Sequence, residues 1–168
     1  DLSLKISIPN NKKIFEKKLY DKVATILGGE GFFELKTTPF TTLAEENTVE
    51  ILNPLSAEMT HLRNDQLASG LSILAYNINR QNKNLKFYEI ANEYSTQDEN
   101  YIENKKLTIW ATGQELADDT WLRKNKMVDF HFIKMIASKI FDNLGLKHGK
   151  LEPLEGDQRW IYGLSDPE

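Results

Sequence analysis

The spacing between apolar residues changes several times along this chain, and these changes limit the folds that it can adopt. A three-to-four spacing predicts helices, whereas alternation or a short apolar run between turn residues predicts strands. Helices and strands do not alternate regularly, which disfavours a repeated βαβ unit. The pattern therefore predicts an α+β fold in which an antiparallel β-sheet has flanking helices. The predicted helices cover about 11–28, 66–80 and 129–144, and the predicted strands 1–10, 31–35, 48–52, 85–91 and 107–111.

Each predicted helix has a face of apolar side chains that we expect to point towards the core. Glycine follows the first and the last helix and predicts their ends. The polar residues at 95–106 predict an exposed connection, those at 118–127 predict a loop, and no element is predicted for 147–168. The core-facing positions are Phe15, Leu19, Val23 and Ile26, then Leu67, Leu71, Leu74 and Ile78, then Phe130, Ile133, Ala137, Ile140 and Leu144.

Length and composition exclude several classes of protein. With 168 residues the chain is long enough to bury a sizeable core, and we expect one domain over 1–168. It contains no cysteine, which excludes thiol catalysis, thiolate metal sites and disulfides within it. Its formal net charge of -4 differs from the basic balance of most nucleic-acid-binding domains. No apolar segment approaches the roughly 20 residues of a membrane-spanning helix. Because it begins with Asp1, we expect a fragment of a longer protein.

Motifs that carry chemistry are missing from the sequence. It has no nucleotide-binding glycine-rich motif and no serine nucleophile motif. The glycines at 28–31 follow a predicted helix, whereas a phosphate-binding loop precedes one. His61, His131 and His148 lack the spacing of metal ligands, and we interpret His131, on the last predicted helix, as a packed or half-exposed side chain. No catalytic, cofactor-binding or metal-binding residue is therefore predicted.

Clusters of like charge have a simple structural interpretation. The acidic pairs at 45–46 and 118–119 lie in predicted loops and are interpreted as solvated charge rather than as acid–base catalysts. The lysines of the first helix are interpreted as a solvated face, with a docking surface as the alternative.

A series of short motifs resembles a known family. In chain order these are NPLSAE at 53–58, LR at 62–63, LASGL at 67–71, NINR at 77–80, FYEIA at 87–91, LTIWATG at 107–113, Trp121, VDF at 128–130, and Lys134. Their succession, over about 12–146, is similar to that of the β-subunit family of bacterial phenylalanyl-tRNA synthetase. The resemblance implies structural or interface roles for Asn53, Pro54, Leu55, Ser56, Glu58, Leu62, Arg63, Asn79, Arg80, Phe87, Glu89, Ile90, Asp129, Phe130 and Lys134.

The resemblance further implies a class II aminoacyl-tRNA synthetase-like core that is a non-catalytic copy. The family's cytoplasmic (αβ)₂ heterotetramer uses ATP and Mg²⁺ to form phenylalanyl-adenylate and then attaches phenylalanine to its tRNA. The implied active site belongs to the α subunit. The resemblance implies that the module described here holds no cofactor and supports the α-subunit active site through helices at the subunit interface. It implies no association with a membrane.

The residues at the implied nucleotide site agree with a loss of chemistry. A catalytic class II core has an arginine at the end of its second signature strand, where it binds the α-phosphate of ATP. The corresponding strand is expected at 86–95 and ends in the neutral Ser95, close to the acidic Glu93. The glycine-rich, arginine-bearing third signature is also missing. Arg63 and Arg80 remain, and we expect both to have structural roles.

Two alternatives stay open at this stage: a competent class II enzyme, and a stand-alone protein-interaction module on the same scaffold. Direct contact with tRNA also stays open. The candidate interface side chains on the first and second helices are Ile14, Tyr20, Leu27, Ile73 and Tyr76, and the candidate RNA-contacting cations are Arg80, Lys83 and Lys86.

Overall fold

The computed structural model describes residues 11–98, 100–116 and 126–146 of the chain. The predicted strand at 1–10, most of the predicted loop at 118–127 and the tail at 147–168 lie outside these residues. In chain order the elements are α1 (Asn11–Gly29), β1 (Phe33–Glu34), β2 (Phe40–Thr41), β3 (Val49–Glu50), β4 (His61–Leu62), α2 (Leu67–Ile78), β5 (Leu85–Gln97), β6 (Asn100–Thr112) and α3 (Phe130–Leu144).

Contacts between Cα atoms divide the chain into two compact units, one of 1–30 with 130–168 and one of 31–129. Among the described residues the first unit contains α1 and α3, and the second contains the strands and α2. The prediction of a single domain over 1–168 stays a prediction.

The three predicted helices are present, and their ends agree closely with the sequence pattern. Gly31 has a φ of 80° and Gly145 a φ of 70°, a conformation that glycine adopts without steric cost just after a helix. At the start of α2 the carboxylate of Asp65 accepts a hydrogen bond of 2.7 Å from the backbone N–H of Leu67. This bond satisfies one of the donors that a helix N-terminus leaves unpaired.

The faces that the helices bury differ in part from the predicted ones. In α1 Val23 is buried as predicted, but Phe15 is 68% exposed and the fully buried side chain is Leu27. In α3 the buried residues are Phe132, Ile136 and Ile140, of which only Ile140 was on the predicted face. Both helices carry apolar residues on more than one side, so packing between α1 and α3, rather than spacing alone, selects the buried row.

The second unit contains two three-stranded sheets, in the orders β1-β5-β6 and β2-β4-β3. Among the strands that the structure describes, all pairs are antiparallel except β1 with β5, which run parallel with Phe33 opposite Phe87. The predicted α+β fold is confirmed, and its predicted antiparallel sheet has this one parallel pair. A parallel pair requires a long connection, and here β2 to β4 and α2 lie between the two strands.

The prediction of a connection without strand structure at 95–106 is wrong, although most of its described residues are exposed as predicted. β5 and β6 form one continuous hairpin, paired from Leu85 with Thr112 to Gln97 with Asn100, and Asp98 has a φ of 48° at the turn. The side chains in the outer part of this hairpin are mostly polar and exposed, as is typical of loops, and this is why the sequence pattern predicted a loop there. Its backbone groups are nevertheless satisfied by the ladder between the strands.

Helix α2 lies close to one face of this hairpin at Gly70. A Cβ atom built on Gly70 would lie 2.1 Å from Cε2 of Trp110, so the indole of β6 occupies the space of a side chain. Trp110 is 5% exposed and pairs with Phe87 across the strands. The close approach of α2 to the sheet therefore requires glycine, which has no side chain, at position 70.

We expect Gly70→Ala to lower the free energy of unfolding by about 1–3 kcal/mol, because the added methyl group overlaps the Trp110 ring. Urea denaturation of the chain measures this change. Gly28→Ala is the matched control, since a Cβ at Gly28 meets no atom within 4 Å and alanine favours the helix. Equal stability of the two variants would contradict the proposed contact.

Candidate functional site

The family-motif residues at 53–58 lie in an exposed loop between β3 and β4, which spans residues 51–60. Asn53, Pro54, Ser56 and Glu58 are exposed, and Leu55 is 96% exposed. The loop is closed by a hydrogen bond of 2.9 Å from Ile51 N to Thr60 O. These motif residues therefore form a surface rather than a buried site.

Two other motif residues, distant in sequence, meet in the interior of the second unit. Arg63 follows β4 and is 4% exposed, and Glu89 lies in β5 and is 2% exposed. Nη1 of Arg63 lies 3.3 Å from Oε2 of Glu89. Both charges are thus removed from water, and each requires the other because an unpaired buried charge is costly.

Thr37 completes this buried cluster. Its backbone N–H and its hydroxyl donate hydrogen bonds of 2.8 and 2.7 Å to the two carboxylate oxygens of Glu89. The same hydroxyl accepts a bond from Nη1 of Arg63, and Nε of Arg63 donates to the carbonyl of Asn92 at 3.3 Å. The cluster therefore joins the segment after β1, the end of β4 and the middle of β5.

The backbone of Arg63 also connects the two sheets of this unit. Its N–H donates to the carbonyl of Pro39 at 2.8 Å, next to β2, and its carbonyl accepts from the N–H of Tyr94 in β5 at 2.9 Å. Side chain and backbone of Arg63 thus act at the same junction. This arrangement holds the two sheets together, because the Nε and Nη1 groups and the backbone N–H and carbonyl of Arg63 all bond to other protein groups.

Further polar side chains are buried on the same face of the hairpin. Glu89 and Glu93 are four residues apart in β5, so they share that face with their cross-strand neighbours. Glu93 forms an ion pair with Lys106 at 2.5 Å. Gln66 is 1% exposed and donates from Nε2 to the carbonyls of Ala91 and Lys106 at 3.4 and 3.3 Å.

Ser95 lies in β5 opposite Ile102 and is half-buried. It lies on the same face as Glu89 and Glu93, but β5 continues to Gln97, so the expectation that the strand ends at Ser95 is wrong. On the other face, burial raises the pKa of the Tyr88 hydroxyl, and the neighbouring Glu34 carboxylate raises it further.

The remaining motif residues are not brought into the buried cluster. Leu62, Phe87, Ile90 and Phe130 are half-buried, whereas Asp129 and Lys134 are exposed. Asn79 caps the end of α2. Arg80 is exposed and places its guanidinium 3.3 Å from the centre of the Tyr76 ring.

The histidines and acidic residues give no metal site within the described ranges. His61 makes a contact of 3.0 Å from Nδ1 to the hydroxyl of Thr60, and His131 is exposed beside the ring of Phe130. His148 and the acidic pair at 118–119 lie outside the described residues. In the part of the chain that the structure covers, no three histidine or carboxylate side chains come close enough to hold a metal ion. No described helix is long and apolar enough to cross a membrane.

Sequence reasoning did not find Thr37 or Gln66, and it did not assign a buried role to Glu93. Thr37 and Gln66 belong to no recognised motif, and polar residues beside predicted elements are usually exposed. A signal was available for Glu93, because it continues the alternating register of Phe87, Glu89 and Ala91. The strand expected at 86–95 already contains Glu93, and following this alternation would have placed its side chain on the buried face.

We expect Arg63→Met to lower the free energy of unfolding by about 3–5 kcal/mol, because Glu89 would remain buried without its cation. Adding Glu89→Gln should recover about 1–2 kcal/mol, since the amide oxygen still accepts the Thr37 N–H and no charge is left unpaired. Urea denaturation of the variants measures both changes.

Lys139→Met is the control for this comparison, since it removes a half-exposed ion pair with Glu30 in the first unit. It should change the free energy of unfolding by less than about 1 kcal/mol. A double variant no more stable than Arg63→Met would contradict the proposed coupling.

Among solved structures, the chain resembles a pyrrolysyl tRNA synthetase from Desulfitobacterium hafniense. The TM-score is 0.51 and the sequence identity 18%, and the match covers 78% of this chain and 45% of the other. This likeness confirms the α+β, aminoacyl-tRNA synthetase-like fold that the sequence predicts.

Curated relatives give a sequence comparison. The chain is 33% identical over 147 residues to the phenylalanine–tRNA ligase beta subunit of Bacteroides fragilis, covering 77% of this chain and 18% of that protein. It is 29% identical over 151 residues to the corresponding subunit of Thermotoga maritima, covering 84% and 19%. The chain thus spans about a fifth of the length of these relatives.

The family described as the phenylalanyl tRNA synthetase beta chain CLM domain matches residues 4–165. The motifs, the fold and this match agree, and the chain belongs to the phenylalanyl tRNA synthetase beta chain CLM domain family.

Proposed function

We propose that this domain is a non-catalytic module of phenylalanyl-tRNA synthetase that supports the active site of an α subunit. The whole (αβ)₂ enzyme would use ATP and Mg²⁺ to make phenylalanyl-adenylate and would attach phenylalanine to its tRNA in the cytoplasm. Within that assembly the domain takes part in protein biosynthesis through its subunit interface rather than through chemistry of its own.

The observation that carries this proposal is the commitment of Arg63 to the protein interior. Binding the α-phosphate of ATP requires a cation whose donors point into an open site. Arg63 is instead buried, and its described bonds go to Glu89, Thr37 and the carbonyl of Asn92. Its Nε and Nη1 groups bond to the protein itself, which supports a structural role.

Two residues of β5 support placing ATP and Mg²⁺ outside this domain. Ser95 carries no charge, and Glu93 is engaged by Lys106 at 2.5 Å. A bound magnesium ion prefers carboxylate ligands that remain available to it. We therefore place ATP and Mg²⁺ with the rest of the enzyme and assign no cofactor to this domain.

Exposed apolar side chains on the helices support a subunit interface. On α1, Ile14 and Phe15 are exposed, and on α2, Leu71 and Tyr76 are exposed. Ile14 and Tyr76 were among the predicted interface positions, and Tyr20 and Ile73 are half-buried. The expectation for Leu27 is wrong, because its side chain is fully buried in the first unit and offers no surface to a partner.

The first test compares ATP–pyrophosphate exchange by the 168-residue chain, the α subunit with the complete β subunit, and each alone. We expect exchange only from samples that contain α, and size-exclusion chromatography should show a stable complex of α with β. Exchange by the isolated chain would overturn the non-catalytic assignment. Failure of α to bind the complete β subunit would instead favour a stand-alone interaction module.

A variant of the complete β subunit separates a structural from a catalytic role of Arg63. In the assembled enzyme, Arg63→Met with Glu89→Gln should leave the rate of exchange within about threefold of wild type at a temperature at which the complex is folded. Loss of a residue that stabilises transition-state charge typically costs about 10²–10³-fold. A loss of that size with the complex intact would contradict the proposal.

A further inference from the structure

The loop at 51–60 presents two leucines that have almost no contact with the rest of the described protein. Leu52 is 92% exposed and Leu55 is 96% exposed. Scattered apolar side chains are common on protein surfaces, but two large ones presented together on one loop are a feature of binding surfaces. Leu43, on the neighbouring segment after β2, is also exposed.

The base of this loop is held in place. Val49 pairs with Leu62 and Glu50 with His61, and the N–H of Met59 donates to the carbonyl of Ser56 at 3.1 Å inside the loop. Pro54 lies between the two leucines and restricts the backbone there. A surface that is ordered before binding loses less conformational entropy when a partner arrives.

The charge around the leucines limits the kind of partner. Residues 37–62 contain no lysine or arginine, and the exposed acidic side chains are Glu45, Glu46, Glu50 and Glu58. Nucleic acids and anionic membranes are repelled by such a surface. A symmetric contact between two copies of the loop would place glutamates against glutamates. The complementary surface is an apolar pocket of another protein with basic residues around its rim.

We propose that the loop at 51–60 inserts Leu52 and Leu55 into such an apolar, basic-rimmed pocket on the α subunit. This inference rests on the proposed function, in which the domain acts within the αβ complex, and it adds a docking element separate from the helices. The apolar side chains supply the buried area, and the glutamates fix orientation and accelerate association.

The test uses the complete β subunit, with Leu52→Asp and Leu55→Asp introduced together, and titrates it with the α subunit. The Kd for α should rise at least tenfold, because two central apolar contacts are lost and charges enter the pocket. The unfolding midpoint of β alone should not change, since these side chains are exposed. Tyr101→Asp is the matched control: Tyr101 is 80% exposed on the β5–β6 hairpin, and its substitution should leave the Kd unchanged.

A second variant, Glu50→Lys with Glu58→Lys, tests the role of the acidic side chains around the two leucines. It should slow association with α at low salt and remove the fall in association rate that added salt causes for the wild type. An association rate that is unchanged, or that increases, would overturn the proposal that the pocket on α has basic residues around its rim.

The outcomes separate this inference from the proposed function. If the wild-type β subunit does not bind α, the proposed function fails and this inference fails with it. If the wild type binds and the leucine variant binds equally well, only this inference is overturned. It is also overturned if the leucine variant lowers the unfolding midpoint of β alone, which would mean that the loop is covered within β, or if it abolishes only the association of β with itself.

Discussion

The buried contact between Arg63 and Glu89 is the interaction on which the second unit depends. Two opposite charges out of water are stable only when every remaining donor and acceptor also finds a partner. Thr37 supplies partners for both carboxylate oxygens of Glu89 and the carbonyl of Asn92 accepts from Nε of Arg63, while the backbone of Arg63 bonds towards β2 and β5. A single residue thereby ties the two sheets together, and a small displacement of either sheet would break several bonds at once.

This use of charge bears on the proposed function. A fold that positions arginines for a nucleotide must keep their donors open to a ligand, whereas a fold that uses an arginine to join its sheets directs those donors inward. In this chain the acidic residues of the buried face, Glu89 and Glu93, are each matched by a protein cation. The same scaffold can therefore serve stability in one protein and chemistry in another, depending on where its charges are satisfied.

The sequence was a good guide to structure where local rules decide, and a poor one where packing decides. The extent of the helix at 66–80 was predictable because its apolar spacing and boundaries are local, but its predicted core positions Leu71 and Ile78 are exposed. The hairpin beyond Ser95 was not, because the outer strand residues are polar and their pairing is non-local. Motif resemblance identified both Arg63 and Glu89, but only the fold brings them together, and Thr37 joins them without any motif of its own. Leu27 was placed on the surface although the packing of its helix buries it completely.

The contact between Gly70 and Trp110 also constrains how this domain can diverge. The indole fills the volume in which any side chain at position 70 would lie, so the two positions share one fixed space. A larger residue in the helix is compatible with the same backbone only if the strand residue becomes smaller. Depending on which residue changes first, the intermediate is overpacked or contains a cavity. Relatives that keep this helix-to-sheet distance should therefore differ at these two positions together, as a coupled exchange of volume.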